Sequence, residues 1–125
     1  MTSYLWVALG GALGAAGRYG VGMALLNVTK AFPFATLLVN IVGSFLLGLL
    51  VMSQQHQQLG DNHWLLFGVG LLGAFTTFSA FSLEVVLLAN QGDWLKALLH
   101  VLLNLVLCIG AVLLAMALYP TPQST

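Results

Sequence analysis

The sequence predicts an all-α integral membrane protein of four transmembrane helices, the third of them broken. Three observations carry this reading. Of 125 residues, 60% are hydrophobic and only 5% charged, whereas about 25% of a soluble domain is charged. The apolar residues fall into four stretches, 4–28, 34–52, 65–88 and 95–118, each near or above the roughly 20 residues a helix needs to cross hydrocarbon. The third stretch also carries three glycines followed by two adjacent threonines, Thr76 and Thr77. A mean hydropathy of +1.02 agrees with a polytopic chain.

The connections are short and turn-like. Residues 29–33, 53–63 (SQQHQQLGDNH) and 89–94 (ANQGDW) hold the Gly, Pro, Asn and Asp that favour turns. They leave no segment for a soluble domain, so 1–125 is read as one four-helix transmembrane domain. The first stretch is read as retained rather than as a signal peptide, because Met1, Thr2 and Ser3 supply no basic leader and the apolar run is too long. Three Lys and Arg balance three Asp and Glu, which excludes a basic footprint for nucleic acid. The expected surroundings are membrane lipid. An even number of spans places Lys30 and Lys96 on one side, so the positive-inside rule has little to act on. Insertion in both orientations, and hence an antiparallel dimer, follows as an expectation.

Each stretch carries polar groups whose burial needs an explanation. In the first, Arg18 lies at a depth where an arginine costs roughly 2.5–3.5 kcal/mol. It either snorkels to an interface or faces a water-filled vestibule that attracts an anion. Gly10 and Gly14, with Ala12 and Ala16, make one face nearly smooth and suited to close helix packing. In the second stretch, Thr36, Asn40 and Ser44 recur every four residues and share a face. The Asn40 amide offers two donors, either to an anion or to a neighbouring helix.

The third stretch is expected to break near residues 73–77, and carbonyls freed in a membrane require protein or a cavity to satisfy them. Such carbonyls can hold a small hard cation; a kinked helix whose carbonyls meet Ser or Thr hydroxyls is the alternative. Beyond the break, Phe78 and Phe81 are three apart, as are Ser79 and Ser82. The ring edges carry positive potential that favours a small anion. Glu84 would repel an anion from a pore lining, so it is read as a hydrogen-bonded or paired structural group, or as a residue near the mouth. In the fourth stretch His100, Asn104 and Cys108 form a second polar stripe, suited to a hydrated lining or to internal hydrogen bonding. The lone cysteine cannot form an intrachain disulfide. His56 and His63 lack partners at zinc-ligand spacing.

Taken together, GGALGAAGRYG in the first stretch, Pro33 with TLLVNIVGSFLLG in the second and GLLGAFTTFSAFSLE in the third resemble the Fluc (CrcB) family of fluoride channels. The resemblance spans nearly the whole chain. It implies an antiparallel, dual-topology homodimer with two fluoride pathways in a bacterial inner membrane. It also implies passive, fluoride-selective export that reduces cellular fluoride toxicity. The family's pore asparagine falls on Asn40, its phenylalanine pair on Phe78 and Phe81, and its vestibule arginine on Arg18, while Ser79 supplies a hydroxyl. A structural sodium ion at the dimer axis would be held by main-chain carbonyls, whose positions here are Gly73 and Thr76. The chain has Ala35 where the family commonly has glycine, and it replaces the family's fourth-helix hydroxyl track with His100, Asn104 and Cys108.

Other function classes find less in the sequence. A small multidrug-type proton-coupled transporter also has four helices, but it uses an acidic residue in the first, where this chain has Arg18. A structural subunit that packs through its glycine faces would conduct nothing. An enzyme would need a nucleophile and base at one depth, and no such pair is identifiable. No G-x-x-x-x-G-K-[ST] stretch offers a nucleotide site.

Overall fold

In the computed structural model, which describes residues 1–120, helix α1 runs Thr2–Ala24 and a short α2 follows at Leu26–Thr29. The last five positions of the expected 1–125 domain lie outside the described residues. Helix α3 spans Phe34–Gln55, opening directly after Pro33. Next come α4 at Asp61–His63, a π-helical segment at Trp64–Leu72 and α5 at Gly73–Phe75. Helices α6, Phe78–Asn90, and α7, Trp94–Leu118, complete the chain.

Among the described residues, three segments are long and apolar enough to cross a membrane: Phe34–Gln55, Asp61–Asn90 and Trp94–Leu118. The first has the length, with 23 residues, but six of them are glycine, which dilutes its hydropathy. The sequence expectation of one apolar helix over 4–28 is corrected. The helix ends at Ala24, and a turn at Leu25 separates it from α2, where the Thr29 hydroxyl bonds the Leu25 carbonyl at 2.8 Å.

The glycines set how closely these elements approach. A Cβ added at Gly10 would lie 2.0 Å from the Leu66 carbonyl oxygen, and one at Gly14 would lie 2.1 Å from that of Leu71. Gly70 in turn faces the Val7 carbonyl, 2.7 Å from where its Cβ would sit. Backbone therefore meets backbone along the α1 seam, as in small-residue packing between membrane helices. On the other side, Gly48 of α3 meets Ala115 and Val112 of α7 in the same way.

The break falls at Thr76 and Thr77, which adopt extended backbone with φ/ψ of −85/155° and −150/118°. The glycines expected to weaken the helix do not break it. Gly73 is helical at φ −60° and ψ −38°, while Gly68 and Gly70 are buried in the π-helical turns. At the far end of α6, Gly92 takes φ +84° and lets the Asp93 N–H reach the Leu88 carbonyl at 2.9 Å. This is a left-handed helix terminus that glycine suits.

Overpacking of this kind costs about 1–3 kcal/mol. Gly14→Ala should therefore lower stability by at least that amount in detergent unfolding. Gly11→Ala, whose added Cβ meets nothing within 4 Å, should leave it unchanged or slightly raise it.

Candidate functional site

Once the helix stops at Thr76, the backbone of Thr77 needs partners from elsewhere. Asn40, in the second turn of α3, provides both. Its Oδ1 accepts from the Thr77 N–H at 2.8 Å, and its Nδ2 donates to the Thr77 carbonyl at 3.1 Å. The Thr77 hydroxyl then caps α6 by accepting from the Ala80 N–H at 3.1 Å. In the sequence Thr77 was read as part of the break and not as a site residue; its further signal was a threonine placed where an N-cap precedes an apolar helix.

Backbone polarity fixes the direction of every further bond. The Thr77 N–H only donates and its carbonyl only accepts, so the Asn40 amide has one orientation. Its second N–H meets Asn104 Oδ1 at 3.0 Å. Asn104 Nδ2 is thereby turned to His100, where it bonds the backbone carbonyl at 2.9 Å and Nδ1 at 3.0 Å. With Nδ1 as the acceptor, Nε2 is the ring nitrogen that donates, to Glu84 Oε2 at 2.9 Å. Glu84 Oε1 accepts from the Thr36 hydroxyl at 2.5 Å. One continuous chain thus runs from the helix break through α3, α7 and α6.

Two cavities meet at the break. One of about 490 Å³ is lined by Arg18, Thr36, Glu84 and Thr77, among others. The second, about 250 Å³, is lined by Asn40, Ser44, Thr77, Phe78, Phe81, Asn104 and Cys108 among others. Thr77 belongs to both linings, and its backbone is bonded by Asn40, which lines the smaller cavity. Arg18 is held in place by donating from Nε to the Ala74 carbonyl at 3.1 Å. A cation at that helix C-terminus offsets part of its burial cost.

The sequence-identified residues divide as follows. Phe78 and Phe81 are neighbours, with ring centroids 5.4 Å apart, yet Phe78 is 74% exposed and Phe81 only 7%. Ser79 is exposed and lies 3.3 Å from the Thr77 hydroxyl. The fourth-stretch stripe divides between a cavity lining and internal hydrogen bonding. Asn104 and Cys108 line the smaller cavity, but His100 is 0% exposed, seated against the rings of Phe81 and Phe32. Nor is the Asn40 amide free to receive a ligand, because both its N–H groups are engaged.

The two carbonyl positions of the expected cation site lose their helical donors. In an unbroken helix the Thr77 N–H would serve Gly73 and the Ala80 N–H would serve Thr76. Here both are diverted, to Asn40 and to the Thr77 hydroxyl. Carbonyl oxygens released from a ladder are the donor type that a hard cation takes.

Fold and geometry thus define an all-helical membrane protein with two cavities joined at a broken helix. Residues 5–116 match the family described as CrcB-like protein, Camphor Resistance (CrcB). Among curated relatives, a protein of Idiomarina loihiensis named Fluoride-specific ion channel FluC is 54% identical over 119 residues, covering 94% of this chain and 92% of that one. Proteins with the same name from Shewanella sp. (strain W3-18-1) and Shewanella oneidensis are 49% and 50% identical, each match covering 94% of this chain and 96% of theirs. The chain belongs to the CrcB family.

A hydrogen bond to a charged group is worth about 1.5–3 kcal/mol. Thr36→Val, which removes the hydroxyl facing Glu84, should destabilise by that amount in detergent unfolding, and Thr36→Ser should restore most of it.

Proposed function

We propose that this chain is a passive, fluoride-selective ion channel, not an enzyme, and that the anion passes from the Arg18 cavity to the Phe78 cavity beside Asn40. The observation that carries the route is the lining residue Thr77 shared by the two cavities, its backbone bonded by the Asn40 side-chain amide. The names of the relatives carry the identity of the ion.

A small anion entering hydrocarbon must exchange water for donors. Arg18 supplies positive charge at the wide end and draws anions in. Asn40 offers an N–H where fluoride would compete with the Asn104 carbonyl oxygen. Phe78 and Phe81 present ring edges, and Ser79 offers a hydroxyl. Each contact is weak enough to release the ion, as conduction requires. The alternative of a proton-coupled multidrug transporter needs a carboxylate free to exchange cation and proton, whereas both Glu84 oxygens are already bonded.

The reading includes four spans in a bacterial inner membrane, with α1 as the first, and a dual-topology antiparallel homodimer. The high exposure of Phe78 beside a cavity that opens outward supports a second copy completing the pathway. A structural sodium ion fits the released carbonyls of Gly73 and Thr76, where it would hold the two broken helices together at the dimer axis. Fluoride leaves the cell down its gradient, which lowers its toxicity.

In liposomes, the purified protein should release fluoride rapidly without a proton gradient. Asn40→Asp puts acceptors against the Thr77 carbonyl and Asn104, and should lower that flux at least tenfold in protein that remains folded; flux equal to wild type contradicts the assignment. Phe78→Ile and Phe81→Ile keep apolar bulk while removing ring edges, so each should slow fluoride release measured with a fluoride electrode.

A further inference from the structure

The hydrogen-bond chain poses a problem for any anion at Asn40. The amide cannot turn without losing both bonds to Thr77, so the one N–H it can yield is that held by Asn104 Oδ1. The amide oxygen of Asn104 stands where the anion must go. Asn104 is in turn held by its bonds to the His100 carbonyl and Nδ1, and the second of these exists only while Nδ1 is unprotonated.

Resting on the reading of Asn40 as the anion's donor, we infer that His100 and Asn104 form a proton-controlled latch that withholds that donor until the imidazole is protonated. A proton on Nδ1 sets donor against donor at 3.0 Å and expels the Asn104 amide from its seat. Its Oδ1 leaves Asn40 at the same time, because one side chain makes both contacts. The freed Asn40 N–H then faces the cavity lined by Phe78 and Phe81.

The step balances simply. A hydronium ion in the cavity that Asn104 lines gives its proton to Nδ1: one O–H bond breaks, leaving neutral water, and the Nδ1–H bond forms. The added positive charge is matched by the incoming anion. The imidazolium remains bonded to Glu84 through Nε2. Among the described residues, Glu84 is the titratable group within hydrogen-bonding reach of the ring. Arg18 of α1 and Lys30 of the α2–α3 connection share cavities with Glu84, and Lys96 lies one turn back on α7. The rings of Phe32 and Phe81 also pack against the imidazole. His100 and Asn104 are thus positioning residues for the anion's donor.

Because linkage is reciprocal, protonation and anion binding must favour one another. The test uses the full-length protein in liposomes, with leak from protein-free vesicles subtracted. The fluoride concentration for half-maximal flux is measured from about pH 8 to about pH 5.5. It should fall about threefold or more on acidification, with about tenfold per pH unit as the limit for one proton. His100→Gln removes the titrating ring and should flatten the profile at the high-pH value. Asn104→Ala removes the latch and should flatten it at the low-pH value or below. A wild-type profile that is flat, or an Asn104→Ala profile with the wild-type slope, overturns the inference. A readout independent of flux is the 15N resonance of His100 in protein at neutral pH without fluoride. The latch requires an unprotonated Nδ1 and a protonated Nε2; a protonated Nδ1 overturns it even if the channel conducts. Absence of fluoride flux in folded protein with the expected 15N signature would instead contradict the channel reading, leaving the hydrogen-bond arrangement intact.

Discussion

A helix that stops inside hydrocarbon leaves N–H and C=O groups that water cannot reach, at a cost of several kcal/mol each. In this protein that requirement falls on Thr77, and one side chain, Asn40, meets it with a donor and an acceptor 2.8–3.1 Å away. The rest of the arrangement follows from that pairing. It aims the second Asn40 N–H at α7, sets the orientation of Asn104 and, through it, the tautomer of His100. It also diverts the N–H that would have bonded Gly73, releasing a carbonyl at the break.

Stability and conduction draw on the same groups. An anion route needs donors available within the membrane, and a stable membrane protein needs every donor satisfied. Asn40 meets both needs by dividing its amide. One side is fixed to the backbone, while the other is held by a neutral oxygen that an anion can displace. The glycine seam of α1 supports this from a distance. Close contact between α1 and the π-helical segment fixes the approach to the break, and Arg18 on the same helix anchors the Ala74 carbonyl just before it.

Much of this was legible in the sequence. Hydropathy marked the α3 and α7 boundaries to within a few residues, and the four-residue spacing of Thr36 and Asn40 identified a face whose partners lie on two other elements. The break was placed correctly, but for an incomplete reason. Glycine suggested weakness, whereas Gly68, Gly70 and Gly73 remain helical and the extended residues are Thr76 and Thr77. The π-helical turns were not legible in the residues, and the segment that contains them packs backbone to backbone against α1, a contact between elements far apart in the chain. The engagement of both Asn40 N–H groups was also hidden, because it depends on which helices Thr77 and Asn104 come from. Glu84 illustrates what chemistry alone can give: it was expected to be hydrogen-bonded or paired, or to lie near the mouth, and both its oxygens are bonded while it lines the Arg18 cavity.

The central claim is that fluoride, while crossing, takes a donor from the Asn40 side-chain amide. Solid-state NMR of the protein in lipid, with 15N in asparagine side chains and fluoride bound, tests it through the 19F–15N dipolar coupling. The account predicts a coupling to Asn40 Nδ2 that corresponds to direct hydrogen-bonding distance and disappears in Asn40→Asp. Bound fluoride that couples to other groups in the chain but not to Asn40 would contradict it.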